Sequence, residues 1–176
     1  MRSLFMSNLS VPTRCLIEWQ LLTLVRPAEA SGARWEEIDL DAKLWIIPAE
    51  RMKAKREHIV PLSSQALEIL EVMKPISAHR EHVFPSRNDP KQPMNSQTAN
   101  AAIKRIGYGG KLVAHGLRSI ASTAMNEAGL NPDVIESALA HTDRNEVRKA
   151  YNRSTYITQR VEIMSWWGCY VNGSNK

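Results

Sequence analysis

His115 and Arg118 stand three residues apart, the spacing that puts an imidazole beside a guanidinium on one side of a helix. That pair suits a phosphodiester. The guanidinium fork holds two non-bridging oxygens while the imidazole donates or accepts a proton next to them. Alone, a His-x-x-Arg pair is more often a solvated polar face. Further cations crowd the stretch Glu50-Arg51-Met52-Lys53-Ala54-Lys55-Arg56. The chain carries no Gly-x-x-x-x-Gly-Lys phosphate loop and no carboxylate cluster suited to two magnesium ions, which sets it apart from nucleotide-driven enzymes and from two-metal nucleases.

These residues need elements to hold them. Thr13 is expected to cap a helix from Cys15 to Leu24, apolar on most sides and therefore buried. It must stop near Arg26, because Pro27 disfavours helix in the residue before it. Pro27 then opens a short helix, with Glu29 in its first turn and Gly32 ending it. Short β-like runs follow at Trp35 to Ile38, Leu44 to Ile47 and His58 to Val60, a three-stranded antiparallel sheet whose second connection is the cationic stretch. A 3.6-residue period then places Ala66, Ile69, Leu70 and Met73 on one buried helix face and Ala99, Ala102, Ile103 and Ile106 on another, with Pro85 to Pro93 as a loop between. The helix that begins near His115 is expected to bury Leu117, Ile120, Ala121, Ala124, Met125 and Ala128, leaving His115, Arg118 and Ser122 on its other side, until Gly129 ends it. Asn131 caps the next helix, Pro132 is its first residue, and Val134, Ile135, Ala138 and Leu139 are its buried face. Two more helices are expected, around Arg144 to Ala150 and from Tyr156 to Trp167.

The fold class is thus α+β: mainly helical, with a small three-stranded antiparallel sheet near the N-terminus. The 176 residues, 43% of them hydrophobic and 23% charged, suit one domain with one core, residues 171–176 forming a flexible tail. The formal net charge of +5 favours a polyanionic partner without demanding one. Cys15 and Cys169 sit near opposite ends, so neither a disulfide framework nor a zinc site is expected, and a reducing cytoplasm fits. No run approaches the ~20 apolar residues of a membrane span, and the first residues do not read as a signal peptide.

Read together, Leu22-Thr-Leu-Val-Arg26-Pro-Ala-Glu29, the hairpin with Lys53, His115-Gly-Leu-Arg118, Ala138-Leu-Ala-His141 and Ala150-Tyr151-Asn-Arg153 occur in the order that tyrosine recombinases use. The chain resembles the catalytic domain of that family over nearly its whole length. Runs such as Val60-Pro-Leu-Ser63, Val83-Phe-Pro-Ser86 and His115-Gly-Leu-Arg-Ser119 are similar in detail to integrases of prophages and satellite phages. Each motif is weak by itself; five in order are not.

The resemblance implies roles. Arg26 and Arg118 clamp the scissile phosphate and offset the charge that builds in the pentacoordinate transition state. Lys53, seven residues before Val60, matches the family's hairpin lysine and protonates the departing 5′ oxygen, while Lys55 and Arg56 contact the DNA backbone. His115 assists proton transfer, His141 donates to a non-bridging oxygen, and Glu29 orients Arg26 or His115. Many relatives have Gly before that second histidine, where this chain has Ala140. Tyr151, with Arg148 and Arg153 beside it as DNA contacts, is the nucleophile. A phenol of pKa ~10 is ionised about one part in a thousand at pH 7, a deficit of roughly 4 kcal/mol, so neighbouring cations and a base must help it. Tyr156 and Tyr170 belong to the last apolar helix, where packing is their role, and Tyr108 is a loop anchor.

The reaction so implied needs no cofactor and no metal: the tyrosine attacks, a 3′-phosphotyrosyl ester forms, and a 5′ hydroxyl leaves. Double-stranded DNA carrying attachment sites is the implied partner. The protein would be a monomer without DNA and a tetramer in the synapse, with an excisionase or a host DNA-bending protein as accessory factor and the bacterial nucleoid as its location. The segment Tyr156 to Tyr170 packs in cis or into a neighbouring protomer. Family members carry N-terminal DNA-binding domains, whereas this chain starts 25 residues before Arg26, which suggests an excised piece or a shortened gene product. The rival readings are a type IB topoisomerase and a non-catalytic DNA-binding remnant of an integrase.

Overall fold

Three large rings mark the centre of the molecule: in the computed structural model, the Trp19 ring lies 5.1 Å from that of Trp45 and 6.1 Å from that of Phe84. The structure describes residues 9–141 and 146–173, the side chains of 146–155 excepted. Trp19 belongs to α1 (Val11–Thr23), a helix buried on several sides through Cys15, Leu16, Ile17, Trp19, Gln20 and Leu22. It starts before the expected Thr13 cap. Ser10 is the N-cap residue, and Pro12 falls in the first turn, where its missing N–H leaves no bond unmade. The chain leaves α1 at Leu24, which is fully buried and left-handed at φ 60°. The short α2 (Pro27–Ser31) follows as expected, with Arg26 as its N-cap and Gly32 as its C-cap.

Beyond it, β1 (Ile38–Asp39), β2 (Leu44–Ile47) and β3 (His58–Pro61) form the expected antiparallel sheet in the order β1-β2-β3, with Trp45 opposite both Ile38 and Val60. The first strand is shorter than expected. Residues Trp35–Glu37 make a 3-10 turn instead, because the Glu37 carboxylate turns inward to accept from Trp45 Nε1 at 2.9 Å and from the Arg34 backbone N–H at 3.2 Å. A second 3-10 turn, Ala49–Arg51, begins the β2–β3 connection.

The helices α3 (Ser64–Ser77) and α4 (Thr98–Ile103, running on as a π-helical turn, Lys104–Tyr108) bury the predicted faces. Ser63 caps α3 through Ala66 N–H. α5 (Gly116–Glu127) and α6 (Pro132–Ala138) come next, the latter capped by Asn131 Oδ1, which accepts from Asp133 N–H at 3.0 Å. Then α7 runs unbroken over Glu146–Asn172, where two helices were expected; it also reaches two residues into the expected tail. Its far half packs on its own chain: Ile163, Met164 and Trp167 are buried, and Trp167 Nε1 donates to the Leu21 carbonyl at 2.8 Å. At Gly168 a Cβ would meet Gln65 Oε1 at 2.2 Å, so only glycine lets α7 pass this close to the start of α3. Both cysteines are free thiols, and burial, with the Glu18 charge, raises Cys15 to a pKa of about 11. No described helix is long and apolar enough to cross a membrane.

Candidate active site

Arg118 sits on the core side of α5. It is 4% exposed, together with buried Leu117, Ala121, Ala124 and Met125, while Ile120 is 49% exposed. Those four apolar residues are buried as expected, but Ile120, expected inward, faces solvent, Arg118, expected outward, is buried, and Ala128 is exposed. The reason lies in hydrogen bonds. A guanidinium tolerates burial only where its N–H groups find acceptors, and Arg118 finds two: Nη1 donates to the carbonyl of Leu24 and Nη2 to that of Leu139. The left-handed turn at Leu24 thus ends α1 and also supplies a carbonyl to Arg118. Leu24 is two residues before Arg26, and Leu139 is two before His141. One side chain therefore ties together the segments that carry three of the expected functional residues. Two of the five guanidinium N–H groups are used in this way.

Arg26 is fixed by its own helix. Its backbone N–H donates to Glu29 Oε2 at 2.8 Å and its Nη1 to Glu29 Oε1 at 3.2 Å, so one nearly buried carboxylate caps α2 and orients the arginine. The Arg26 side chain stays 25% exposed. Its charge reaches Arg118, whose pKa is lowered to about 10, first by burial and then by Arg26, with Glu29 and Glu136 acting the other way. Arg118 thus remains a cation at neutral pH. Two positive charges held near each other at a half-open surface repel, and an oxyanion between them would relieve that repulsion.

His141 is placed by the end of α6. Ala140 takes φ 49°, and His141 N–H closes the turn onto the Glu136 carbonyl at 3.1 Å, the six-residue closure that favours glycine at the left-handed position. Glu136 Oε2 also lies 2.7 Å from His141 Nδ1. An ionised carboxylate only accepts, so Nδ1 carries the proton and Nε2 is left free. His115 is exposed at the N-terminus of α5. The residue before it is pinned twice, since Gln20 Nε2 donates to the Ala114 carbonyl at 2.7 Å and Ala114 N–H donates to Asn100 Oδ1 at 2.6 Å.

Lys53, Lys55 and Arg56 are exposed in the β2–β3 connection, with the Lys55 N–H closing a turn onto the Met52 carbonyl at 3.0 Å. No described bond joins them to the arginine pair. Tyr151 lies on α7; its side chain and those of Arg148 and Arg153 fall outside the described residues. Among the described residues, no cluster of three or more His, Cys, Asp or Glu is placed to hold a metal ion.

Sequence reasoning missed several neighbours. His58 on β3 is buried and hydrogen-bonded to the backbone of Ala138; burial first, then the charges of Arg160, Arg118 and Arg26, lower its pKa to about 3. Arg160 on α7 is 7% exposed, and burial lowers its pKa too. A signal existed for Arg160, which falls in line with Ile163, Met164 and Trp167 on the buried face of its helix. Glu136, Gln20 and Asn100 had none, because each acts across the end of a helix or between distant segments.

Comparison with known sequences adds the decisive observation: the phage integrase family matches over residues 3–157. The chain belongs to that family. It is 62% identical over 175 residues to the prophage integrase IntA of Escherichia coli (strain K12), covering 99% of this chain and 42% of that protein. It is 41% identical to the integrase of Enterobacteria phage P4, covering 92% of this chain and 40% of that one. The chain thus spans about two fifths of the length of these curated relatives. Among solved structures, the integrase from mycobacterium phage Brujita matches with a TM-score of 0.72 at 21% identity, over 92% of this chain and 53% of that one. A lambda integrase (75–356) dimer bound to a COC′ core site matches with a TM-score of 0.62 at 20% identity, over 79% of this chain and 53% of that one. At such identities the likeness is one of fold, and it bears out the mainly helical α+β reading.

Proposed function

We propose that this integrase-family chain is the catalytic domain of a site-specific tyrosine recombinase acting on DNA. The observation that carries the reading is Arg118, buried and bonded to Leu24 and Leu139, which ties the segments that carry Arg26 and His141 to the helix that starts at His115 and so supports one oxyanion site among them.

In this reading the scissile phosphate sits against Arg26 and Arg118, whose charges offset the extra negative charge of the pentacoordinate state. Glu29 holds Arg26 in orientation, and His141, its Nδ1–H held by Glu136, donates from Nε2–H as an imidazolium to a non-bridging oxygen. Tyr151 Oη attacks phosphorus while His115 assists removal of its proton. The P–O5′ bond breaks as P–Oη forms, Lys53 gives a proton to the departing 5′ oxygen, and the DNA is left joined through a 3′-phosphotyrosyl ester. A 5′ hydroxyl from a partner strand reverses the steps. One ester replaces another, so the energy of the broken bond is kept and neither a metal nor a nucleotide takes part. Lys55, Arg56, Arg148 and Arg153 contact the DNA backbone.

Similar solved structures include the lambda integrase dimer bound to a core site and a Tn1549 transposon integrase in complex with circular intermediate DNA, which supports DNA as the partner here. The last helix packs on its own core, which supports a monomer without DNA; four protomers would assemble on two duplexes.

The test is a nicked suicide duplex carrying the attachment site, incubated with the chain and with Tyr151→Phe. A covalent protein–DNA band that needs Tyr151 is expected. Its absence, also when the chain is extended to the length of its relatives, would leave a DNA-binding role without catalysis. Relaxation of supercoils with no strand exchange would move the reading to a type IB topoisomerase.

A further inference from the structure

Arg51 ends the 3-10 turn Ala49–Arg51, two residues before Lys53. Its Nη1 donates to both carboxylate oxygens of Glu37, and its Nη2 donates to the backbone carbonyl of Glu29 at 2.9 Å. Both acceptors are themselves fixed. Glu37, its side chain only 5% exposed, also accepts from Trp45 Nε1 and from the Arg34 backbone. Glu29 is the residue whose carboxylate holds the backbone and the side chain of Arg26.

Two further observations fix this arrangement. A Cβ at Gly32 would stand 2.7 Å from Arg51 Nη2, so the guanidinium fills the space that glycine leaves at the end of α2. Met52, the next residue, is 2% exposed, and its carbonyl accepts the turn-closing N–H of Lys55. Lys53 is therefore one residue past a fixed point. From there to Glu57 the connection is mostly exposed.

We infer that Arg51 is a positioning residue for strand cleavage: it braces the turn carrying Lys53 against the turn carrying Arg26, so that the leaving-group acid and the phosphate clamp keep one frame. The inference rests on the reading of Lys53 as the acid at the 5′ oxygen. Arg51 does not itself need to touch DNA, since its side chain is 14% exposed and both terminal nitrogens are bonded within the protein. A misplacement of about 1 Å in a proton donor can cost on the order of 100-fold in rate, so the brace acts on the cleavage step and leaves binding nearly untouched.

The experiment measures single-turnover cleavage of two duplexes bearing the attachment-site core, one with oxygen and one with sulfur at the 5′ bridging position of the scissile phosphate. A thiolate leaves without a proton, so the sulfur substrate bypasses the acid. Lys53→Ala, Arg51→Lys and Gly32→Ala are compared with the parent chain. Lysine keeps the charge beside Glu37 but cannot also reach Glu29, and Gly32→Ala displaces the guanidinium without removing it. Arg51→Lys is expected to cleave the oxygen substrate on the order of 100-fold more slowly and Gly32→Ala several-fold more slowly, with half-saturating DNA within about twofold of the parent. On the sulfur substrate both return to near the parent rate, as does Lys53→Ala. If Lys53→Ala recovers and Arg51→Lys does not, Lys53 is the acid and the brace is refuted. If Lys53→Ala fails to recover, the role of Lys53 falls, and the brace falls with it. Melting curves of the variants show which of them fold, and Gly32→Ala provides the rate comparison should Arg51→Lys not fold.

Discussion

The arginine pair and the hairpin tip carry the same kind of charge in opposite surroundings. Arg118 is buried and held by two carbonyls from distant segments, and Arg26 is held by a carboxylate three residues on. Lys53, Lys55 and Arg56 stand in solvent on a turn whose last fixed residue is Met52. A buried cation is costly to place, but once placed it needs no reorganisation when an anion arrives, and low surrounding polarity strengthens its pull. An exposed cation is cheap to place and is screened by salt. The first region is preorganised for one phosphate; the second is suited to attracting a polyanion and becoming ordered against it.

Removal of the buried cation should have the largest effect. Arg118→Ala leaves two core carbonyls without donors, and a loss of about 2–4 kcal/mol in chemical denaturation is expected, with cleavage reduced at least ~1,000-fold. Arg56→Ala, its counterpart at the tip, should move stability by less than about 0.5 kcal/mol. Equal losses from the two variants would erase the contrast.

A smaller effect concerns acid. His58 is held neutral at a pKa of about 3, chiefly by burial and then by the arginines around it. Its folded value lies below its unfolded one of about 6.5. As pH falls below that value, the unfolded chain takes up a proton that the folded chain refuses, so stability drops from there toward pH 3, by up to about 1.4 kcal/mol per pH unit, and this group has no effect above the window. His58→Gln should flatten the denaturation midpoint against pH in that range, and an unchanged slope would show that His58 is not held neutral by its burial and the arginines around it.

At the tip the expected signature is salt. Lys55→Ala and Arg56→Ala should each lower the slope of log affinity for duplex DNA against log salt by about 1, with melting unaltered. A slope that stays put would remove these residues from the backbone contacts. The smallest change expected is a gain: Ala140→Gly relieves a left-handed alanine and should stabilise the fold by up to about 1 kcal/mol, read from the denaturation midpoint.

What the sequence made legible was local. Pro27 after Arg26 and Glu29 three residues on define a helix start by themselves, and the structure follows them. Asn131-Pro132 did the same for α6. On α5 the apolar face was legible through Leu117, Ala121, Ala124 and Met125, but the exchange of Ile120 for Arg118 was not, because hydrophobic periodicity assigns an isoleucine to the core and an arginine to solvent. The acceptors that reverse this assignment, Leu24 and Leu139, come from segments 94 and 21 residues away. The first strand failed for a related reason, since the demand for Glu37 comes from Trp45 and Arg51, beyond any local window. Two helices were expected, around Arg144 to Ala150 and from Tyr156 to Trp167, yet the backbone stays helical between them. The expected catalytic residues were named from a family pattern, while the residues that hold them, such as Glu136, Gln20 and Asn100, are visible only in three dimensions.

The unbroken course of α7 gives Tyr151, the proposed nucleophile, a lever arm. Its fulcrum is the stretch from Arg160 to Gly168, seated on α1 and α3, and Tyr151 lies nine residues beyond Arg160, about 14 Å along a helix axis. A tilt of about 10° at the fulcrum would carry that end roughly 2.5 Å, comparable to the difference between an aligned attack and none. Such a tilt would move Tyr151 relative to Arg26 and Arg118, which stand on other elements.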